Sequence, residues 1–162
     1  MPPVLRTARL CLRPYEPSDR PFFVGLFCDV EVMRHVDGAM TPEAADALFA
    51  GILDGSRQRV FQAWLAEDAH GVVVGHAALL REGEEIELGY VLPRAAWGQG
   101  YATEMARRVL NYALDELGRD RVIATVDEGH SGSIRVLDKI GMVALRREVD
   151  EGVAYWVYCA ER

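Results

Sequence analysis

Apolar residues recur at every second position in several short stretches of the chain. This period predicts β-strands, because successive side chains of a strand face opposite sides of a sheet. Between Ile86 and Leu92, Glu87 is the lone carboxylate in an otherwise apolar pattern. The predicted strands cover residues 8–13, 60–66, 72–80, 85–92, 121–126, 143–149 and 153–159.

Apolar residues three and four positions apart predict helices in the segments between these strands. The first helix follows Ser18, the second begins at Thr41, and two more cover residues 101–117 and 133–140. A chain of 162 residues, half of them apolar, is long enough for one domain with a sizeable core. The pattern therefore predicts one α/β domain over residues 1–162.

Two glycines, Gly98 and Gly100, stand directly before the helix predicted at 101–117. Glycine lets the backbone approach a ligand closely, and the free N–H groups of a helix start bind anions. The turn therefore suits a phosphate or pyrophosphate, although a tight connection that needs glycine only for its φ angles has the same pattern. No Gly-Lys-Ser/Thr follows, and Thr103 occupies the third glycine position of the dinucleotide fingerprint, so neither motif is predicted.

Three ordered segments together resemble the GNAT superfamily of N-acetyltransferases. The acetyl-CoA signature of that superfamily, Gln/Arg-x-x-Gly-x-Gly/Ala, falls on residues 97–102, where Trp97 replaces the usual Gln or Arg. Residues 7–19 and 133–142 are similar to the branch that includes ribosomal-protein N-terminal acetyltransferases. The resemblance implies an α/β (α+β) GNAT-like fold, with a central mixed, mostly antiparallel sheet of about six to seven strands flanked by helices.

The same resemblance implies the activity. Acetyl-CoA would be the co-substrate, with no metal, and the acetyl group would pass directly to a primary amine. The branch implies a protein or peptide N-terminal α-amine as acceptor, while an amino acid, a polyamine or an aminoglycoside is the alternative. A module that binds acyl-CoA without turnover, or a generic phosphate or nucleotide binder, are two further alternatives.

Acetyl transfer requires a neutral amine, donors for the developing oxyanion and a proton for the departing thiolate. By resemblance, Glu87 accepts the amine's proton, directly or through water, unless it is only a structural ion pair. Ser133 protonates the thiolate, because Leu137 stands at the usual Tyr position, unless Ser133 only caps its helix. His130 stands where the family has Asn, and it contacts CoA or water or lies in a solvated turn. The residues implied in binding CoA are Tyr90, Val91, Leu92, Gly98, Gln99, Gly100, Tyr101, Ala102, Thr103, His130 and Ser133.

Composition limits the partners and the cellular location that we expect for this protein. The net charge of −7 argues against nucleic acid as a partner, and no run is long and apolar enough to span a bilayer. The three cysteines lack metal-ligand spacing, which predicts a reducing, cytoplasmic location. Anionic CoA needs local positive charge, for which Arg94, Arg107 and Arg108 are candidates if they are not simply solvated. Dimers are common in proteins that this chain resembles, so a homodimer is an open alternative.

Overall fold

The computed structural model describes all residues from Met1 to Arg162. Eight strands and four α-helices follow one another along the chain, namely β1 (Leu5–Arg6), β2 (Leu10–Arg13), α1 (Arg20–Phe27), α2 (Pro42–Asp54), β3 (Val60–Asp68), β4 (Val73–Glu82), β5 (Glu85–Val91), α3 (Tyr101–Asn111), β6 (Arg121–Asp127), α4 (Ser131–Lys139), β7 (Val143–Asp150) and β8 (Val153–Glu161). A π-helical turn, Tyr112–Glu116, extends α3. None of the helices is both long and apolar enough to cross a membrane.

All eight strands form one sheet in the order β1-β2-β3-β4-β5-β6-β8-β7. Neighbouring strands are antiparallel except β5 and β6, which are parallel and pair only at Ile86 with Val122 and at Glu87 with Ile123. Beyond Glu87 the two strands separate, so the backbone edge of β5 is open towards β6. The predicted mixed, mostly antiparallel sheet is therefore confirmed, and it contains a gap at its centre.

The strand alternation buries both faces of the sheet. Trp64 and Leu79 lie on one face and pack in a core with Met105 of α3. Leu65 and Ala78, their neighbours in sequence, lie in a second core on the other face, which also contains Phe23 of α1 and Phe49 of α2. The helices thus cover the two faces in pairs, α3 and α4 on one and α1 and α2 on the other, so the central strands β3 and β4 are buried on both faces.

The predicted first strand is wrong over its first two residues, and the eighth strand of the sheet is β1, Leu5–Arg6, which the prediction did not include. Ala8 and Arg9 lie in a turn between β1 and β2. The Thr7 hydroxyl accepts the N–H of Leu10 at 2.9 Å and closes that turn. Such a local side-chain hydrogen bond competes with a continuous strand, although the apolar alternation continues through it.

The fourth helix begins two residues earlier than predicted. Ser131 is its first residue and His130 is the flanking cap position, so Ser133 already lies within the first turn. The alternative that Ser133 caps the helix is therefore wrong, because His130 holds the cap position and the Ser133 hydroxyl is hydrogen-bonded to Tyr90. Thr41, by contrast, caps α2 by accepting the N–H of Ala44 at 3.1 Å.

Candidate active site

Two cavities meet where β5 and β6 separate. The larger, of about 850 Å³, is called the Glu87 cavity here because it contains that carboxylate. The second, of about 580 Å³, is called the turn cavity because the glycine turn lines it. Their walls share Arg34, His35, Val36, Tyr90, Val91, His130 and Ser133. The gap in the sheet therefore connects a carboxylate on one side with a helix start on the other.

Glu87 is buried, with 8% of its surface exposed. Thr125 of β6 donates its hydroxyl to Oε1 at 2.7 Å, and Nη2 of Arg59 lies 3.5 Å from Oε2. Burial raises the pKa of the Glu87 carboxyl, and the contacts with Thr125 and Arg59 partly oppose that rise. The carboxylate thus belongs to an ion pair, and its pKa is also raised towards the range in which the group can accept a proton. Sequence reasoning missed Arg59 and Thr125, which carry no local motif.

Two hydroxyl groups meet on the opposite face of the gap. The oxygens of Tyr90 and Ser133 lie 2.7 Å apart, so one hydroxyl donates to the other. Burial raises the pKa of the Tyr90 phenol to about 12, against the effect of this hydrogen bond. Leu137, at the usual Tyr position of the motif, is buried in the core. The Tyr90 phenol thus lies beside the predicted Ser133.

The glycine turn leads into α3 with its backbone N–H groups free. Gly98 and Gly100 have φ angles of 74° and 79°, which disfavour any side chain. None of the six amides from residue 98 to residue 103 donates a hydrogen bond within the protein. Because the first turn of a helix has no internal acceptors for its N–H groups, these amides form an anion-binding surface at the turn cavity.

Arg9 holds this turn from the hairpin between β1 and β2. Its Nη1 donates to the carbonyl oxygen of Gln99 at 2.9 Å, its Nε lies 2.7 Å from Oε2 of Glu104, and its guanidinium group lies 4.5 Å from the centre of the Tyr101 ring. The Gln99 side chain folds back to the carbonyl oxygen of Ala95 at 3.0 Å and lines neither cavity. Gln99 is thus the predicted binding residue that the structure leaves outside the cavities.

The positive charge of the turn cavity comes from unexpected residues. Arg34, Arg135 and Lys139 line it, with Glu31 as the one carboxylate. The arginines proposed from sequence are engaged elsewhere: Arg94 lies 3.7 Å from Asp29, Arg107 donates to the Lys139 carbonyl at 2.9 Å, and Arg108 pairs with Glu116 at 2.9 Å. These three arginines line neither cavity, in agreement with the alternative that they do not contact CoA, because a helical period alone does not tell which charged residue faces a cavity.

The residue that follows β5 offers a free backbone donor. The N–H of Leu92 makes no hydrogen bond within the protein, while its carbonyl oxygen accepts the indole N–H of Trp97 at 2.9 Å. Trp97 replaces the Gln or Arg of the signature, and its indole N–H binds the carbonyl oxygen of Leu92. Leu92 is one of the residues that the resemblance implied in binding CoA. Val91 and Tyr90 line both cavities beside it.

Comparison with known proteins agrees with this geometry. A family model described as "Acetyltransferase (GNAT) domain" matches residues 9–143. The chain is 33% identical over 144 residues to the uncharacterized protein YkkB of Bacillus subtilis, covering 85% of this chain and 84% of that protein. It is 30% identical over 161 residues to the uncharacterized N-acetyltransferase YnaD of the same species, covering 94% and 91%. The chain belongs to the GNAT acetyltransferase family.

A solved structure extends the comparison to the fold. Spermidine N-acetyltransferase from Vibrio cholerae, in complex with CoA and spermine, superimposes with a TM-score of 0.83 at 18% identity, covering 96% of each chain. As a GNAT protein, the chain is an acetyl-CoA-dependent N-acetyltransferase. The six free amides and three cations of the turn cavity fit the anionic pyrophosphate of that co-substrate, whose acetyl group the enzyme transfers.

Proposed function

We propose that this GNAT enzyme acetylates the N-terminal α-amine of a protein or peptide. The observation that carries the proposal is the meeting of the two cavities at the gap between β5 and β6. Acetyl-CoA would occupy the turn cavity, with its pyrophosphate on the amides of residues 98–103 and its acetyl end at Tyr90 and Ser133. The acceptor would enter through the Glu87 cavity, whose volume is about 850 Å³.

Glu87 is proposed to prepare the amine. An amine reaches the enzyme mainly as an ammonium ion near neutral pH, and only the neutral form can attack. The buried carboxylate attracts the ammonium group and takes its first proton through water, a role that its raised pKa supports. The N–H of Leu92 is the proposed donor to the thioester oxygen, because Leu92 lines the turn cavity directly after β5 and its N–H has no partner within the protein.

The Tyr90–Ser133 pair is proposed to stabilise the departing sulfur. The two hydroxyls form the one hydrogen-bonded hydroxyl pair on the wall shared by both cavities. A hydroxyl is the donor that a thiolate requires, and both groups lie at the end of the turn cavity where the acetyl group would arrive.

A polyamine is the second candidate acceptor. The V. cholerae protein of the same fold is a spermidine N-acetyltransferase bound to spermine. The Glu87 cavity also has an acidic wall, since seven carboxylates line it against four arginines, and a cationic acceptor would be attracted to it. The carboxylates are Asp37, Glu82, Glu87, Asp127, Glu148, Asp150 and Glu151, and the arginines are Arg34, Arg57, Arg59 and Arg146.

A thiol-release screen with acetyl-CoA tests the proposal. Peptides that differ in their first residue are compared with the same peptides carrying a blocked N-terminus, with spermidine and spermine, and with aminoglycosides. We expect kcat/KM to be highest for a free peptide N-terminus and to vanish when that amine is blocked. Higher kcat/KM for a polyamine would replace the peptide acceptor by the second candidate.

A further inference from the structure

Acetylation removes two protons from the acceptor nitrogen, and Glu87 is placed for only one of them. The ammonium group loses its first proton before attack, and the nitrogen loses a second as it becomes an amide. β5 pairs with β6 only as far as Glu87, and Tyr90 lies three residues further on, about 10 Å away at the rise of a strand. Side chains an odd number of residues apart also face opposite sides of the sheet. Glu87 is therefore remote from the Tyr90–Ser133 pair where the second proton leaves.

A stacked pair of histidines bridges the two sides of the gap. His130 immediately precedes α4, and His35 lies in the loop between α1 and α2. Their rings are 4.8 Å apart with an angle of 21° between the planes, and Nδ1 of His35 lies 3.5 Å from Oδ2 of Asp127 at the end of β6. Both histidines line both cavities. The pair thus reaches from the α4 side of the sheet to the loop on the side of α1 and α2.

His130 is also close to the hydroxyl pair. It is the flanking residue before α4, with a non-helical φ of −91° and ψ of 72°, and its carbonyl oxygen accepts the N–H of Ile134 at 3.1 Å. His130 and Ser133 both line both cavities. A substrate atom held beside the Ser133 hydroxyl therefore lies in a cavity that the His130 residue also lines.

The surroundings keep His130 ready to accept a proton. Burial lowers the pKa of the His130 imidazole, His35 lowers it further, and Asp127 opposes both. A neutral imidazole is the form that takes up a proton. The other charged or titratable groups near the pair are Arg34 and Asp37 on the loop, Tyr90 on β5, and the Glu128–Arg147 ion pair of 2.8 Å beyond Asp127.

We propose that His130, supported by His35 and Asp127, accepts the second proton of the amine. The inference rests on the proposed acetyl transfer. The nitrogen–carbon bond forms, the carbon–sulfur bond breaks, and the nitrogen passes its remaining extra proton to the free nitrogen of His130. The sulfur leaves as a thiolate that the Tyr90–Ser133 pair stabilises by a hydrogen bond, and it then takes a proton from solvent. Glu87 and His130 each release the proton that they accepted to solvent through the Glu87 cavity, so the products are an amide, a free thiol and one net proton.

His130→Asn tests this assignment, since Asn is the residue of the family signature at that position. We expect kcat to fall by about 10²-fold or more, as for the loss of a general base. The decisive readout is pH: above the pKa of the amine, the Glu87→Gln variant should approach wild-type rates because the first proton is already lost, whereas His130→Asn should remain slow. His70→Asn, on the exposed turn between β3 and β4, is the matched control and should behave as wild type.

Chemical rescue and titration separate catalysis from structure. Added imidazole should restore part of kcat in His130→Ala, and NMR titration should show that His35→Asn and Asp127→Asn both change the pKa of His130. Wild-type rates in His130→Asn would overturn the proposal. A loss of rate would also overturn it if imidazole does not rescue His130→Ala and if His130→Asn shows the same pH dependence as Glu87→Gln. If the wild-type protein releases no thiol with any amine, the proposed function itself fails. Independently of activity, a pKa of His130 that changes in neither His35→Asn nor Asp127→Asn would overturn the proposed support of His130 by these two residues.

Discussion

Ser133→Ala tests whether the hydroxyl pair acts on the departing sulfur. The variant removes the 2.7 Å hydrogen bond to Tyr90 and leaves α4 intact, because Ser133 does not cap that helix. The buried phenol keeps a longer contact, at 3.4 Å, with the Ser133 carbonyl oxygen. A single hydrogen bond contributes about 0.5–1.5 kcal/mol net, so we expect the free energy of unfolding to fall by about 1 kcal/mol.

The expected kinetic loss is larger because sulfur leaves as an anion. A hydrogen bond to a charged group is worth about 1.5–3 kcal/mol, which corresponds to a loss of about 10- to 150-fold in kcat. A phenol with a pKa of about 12 is a weak acid towards the sulfur. A thiol has a pKa of about 8.5, so complete proton transfer before bond cleavage would cost about 5 kcal/mol. The pair should therefore act mainly by donating a hydrogen bond to the developing thiolate.

Thiol-release kinetics and calorimetry together check this prediction. Ser133→Ala and Tyr90→Phe should each lower kcat more than they weaken CoA binding, and the double variant should be no slower than the slower single one because the pair acts as a unit. Ser131→Ala, at the exposed start of the same helix, is the control and should keep wild-type kcat. Wild-type kcat in both single variants would refute the role of the pair.

Four further outcomes are expected. Gly100→Val places a β-branched residue at a φ of 79°, with its Cβ 3.3 Å from the Arg9 guanidinium group. It should weaken CoA binding more than tenfold by calorimetry while the protein stays folded, and unchanged affinity would exclude the turn as the pyrophosphate site. Arg9→Ala should raise the Kd for CoA about threefold to tenfold by releasing the turn, whereas Arg6→Ala should not. Glu87→Gln should lower kcat/KM by about 10²-fold below the pKa of the amine, with a loss that shrinks as pH rises; a pH-independent loss would make Glu87 structural. Burial lowers the pKa of His76 from 6.5 to about 4, so between these pH values the unfolded chain binds more protons at that site than the folded protein does. The free energy of unfolding should therefore fall by about 3 kcal/mol as pH drops from 6.5 to about 4, and urea unfolding should find this dependence missing in His76→Gln.

Much of the fold and the outline of the site could be predicted from local sequence. The period of two in residues 85–92 identified β5, and Glu87 as its buried carboxylate, because the alternation depends only on neighbours along one strand. Gly98 and Gly100 identified the helix start, since a positive φ is a property of single residues. The resemblance supplied the family, which comparison with known proteins confirmed. The strand prediction from local alternation was wrong at residues 8 and 9, because the Thr7 hydroxyl closes a turn there while the apolar alternation continues.

Only the tertiary structure decided which side chains meet at the gap. The separation of β5 from β6 follows from pairing that stops at Glu87, and no pattern within either strand marks that position. The partners that complete the site lie far apart in sequence, as with Tyr90 and Ser133, or His35 and His130. Local periodicity fixes the face on which a residue lies, whereas the partner across the gap depends on how the helices pack on both faces of the sheet, and that packing is a property of the whole chain.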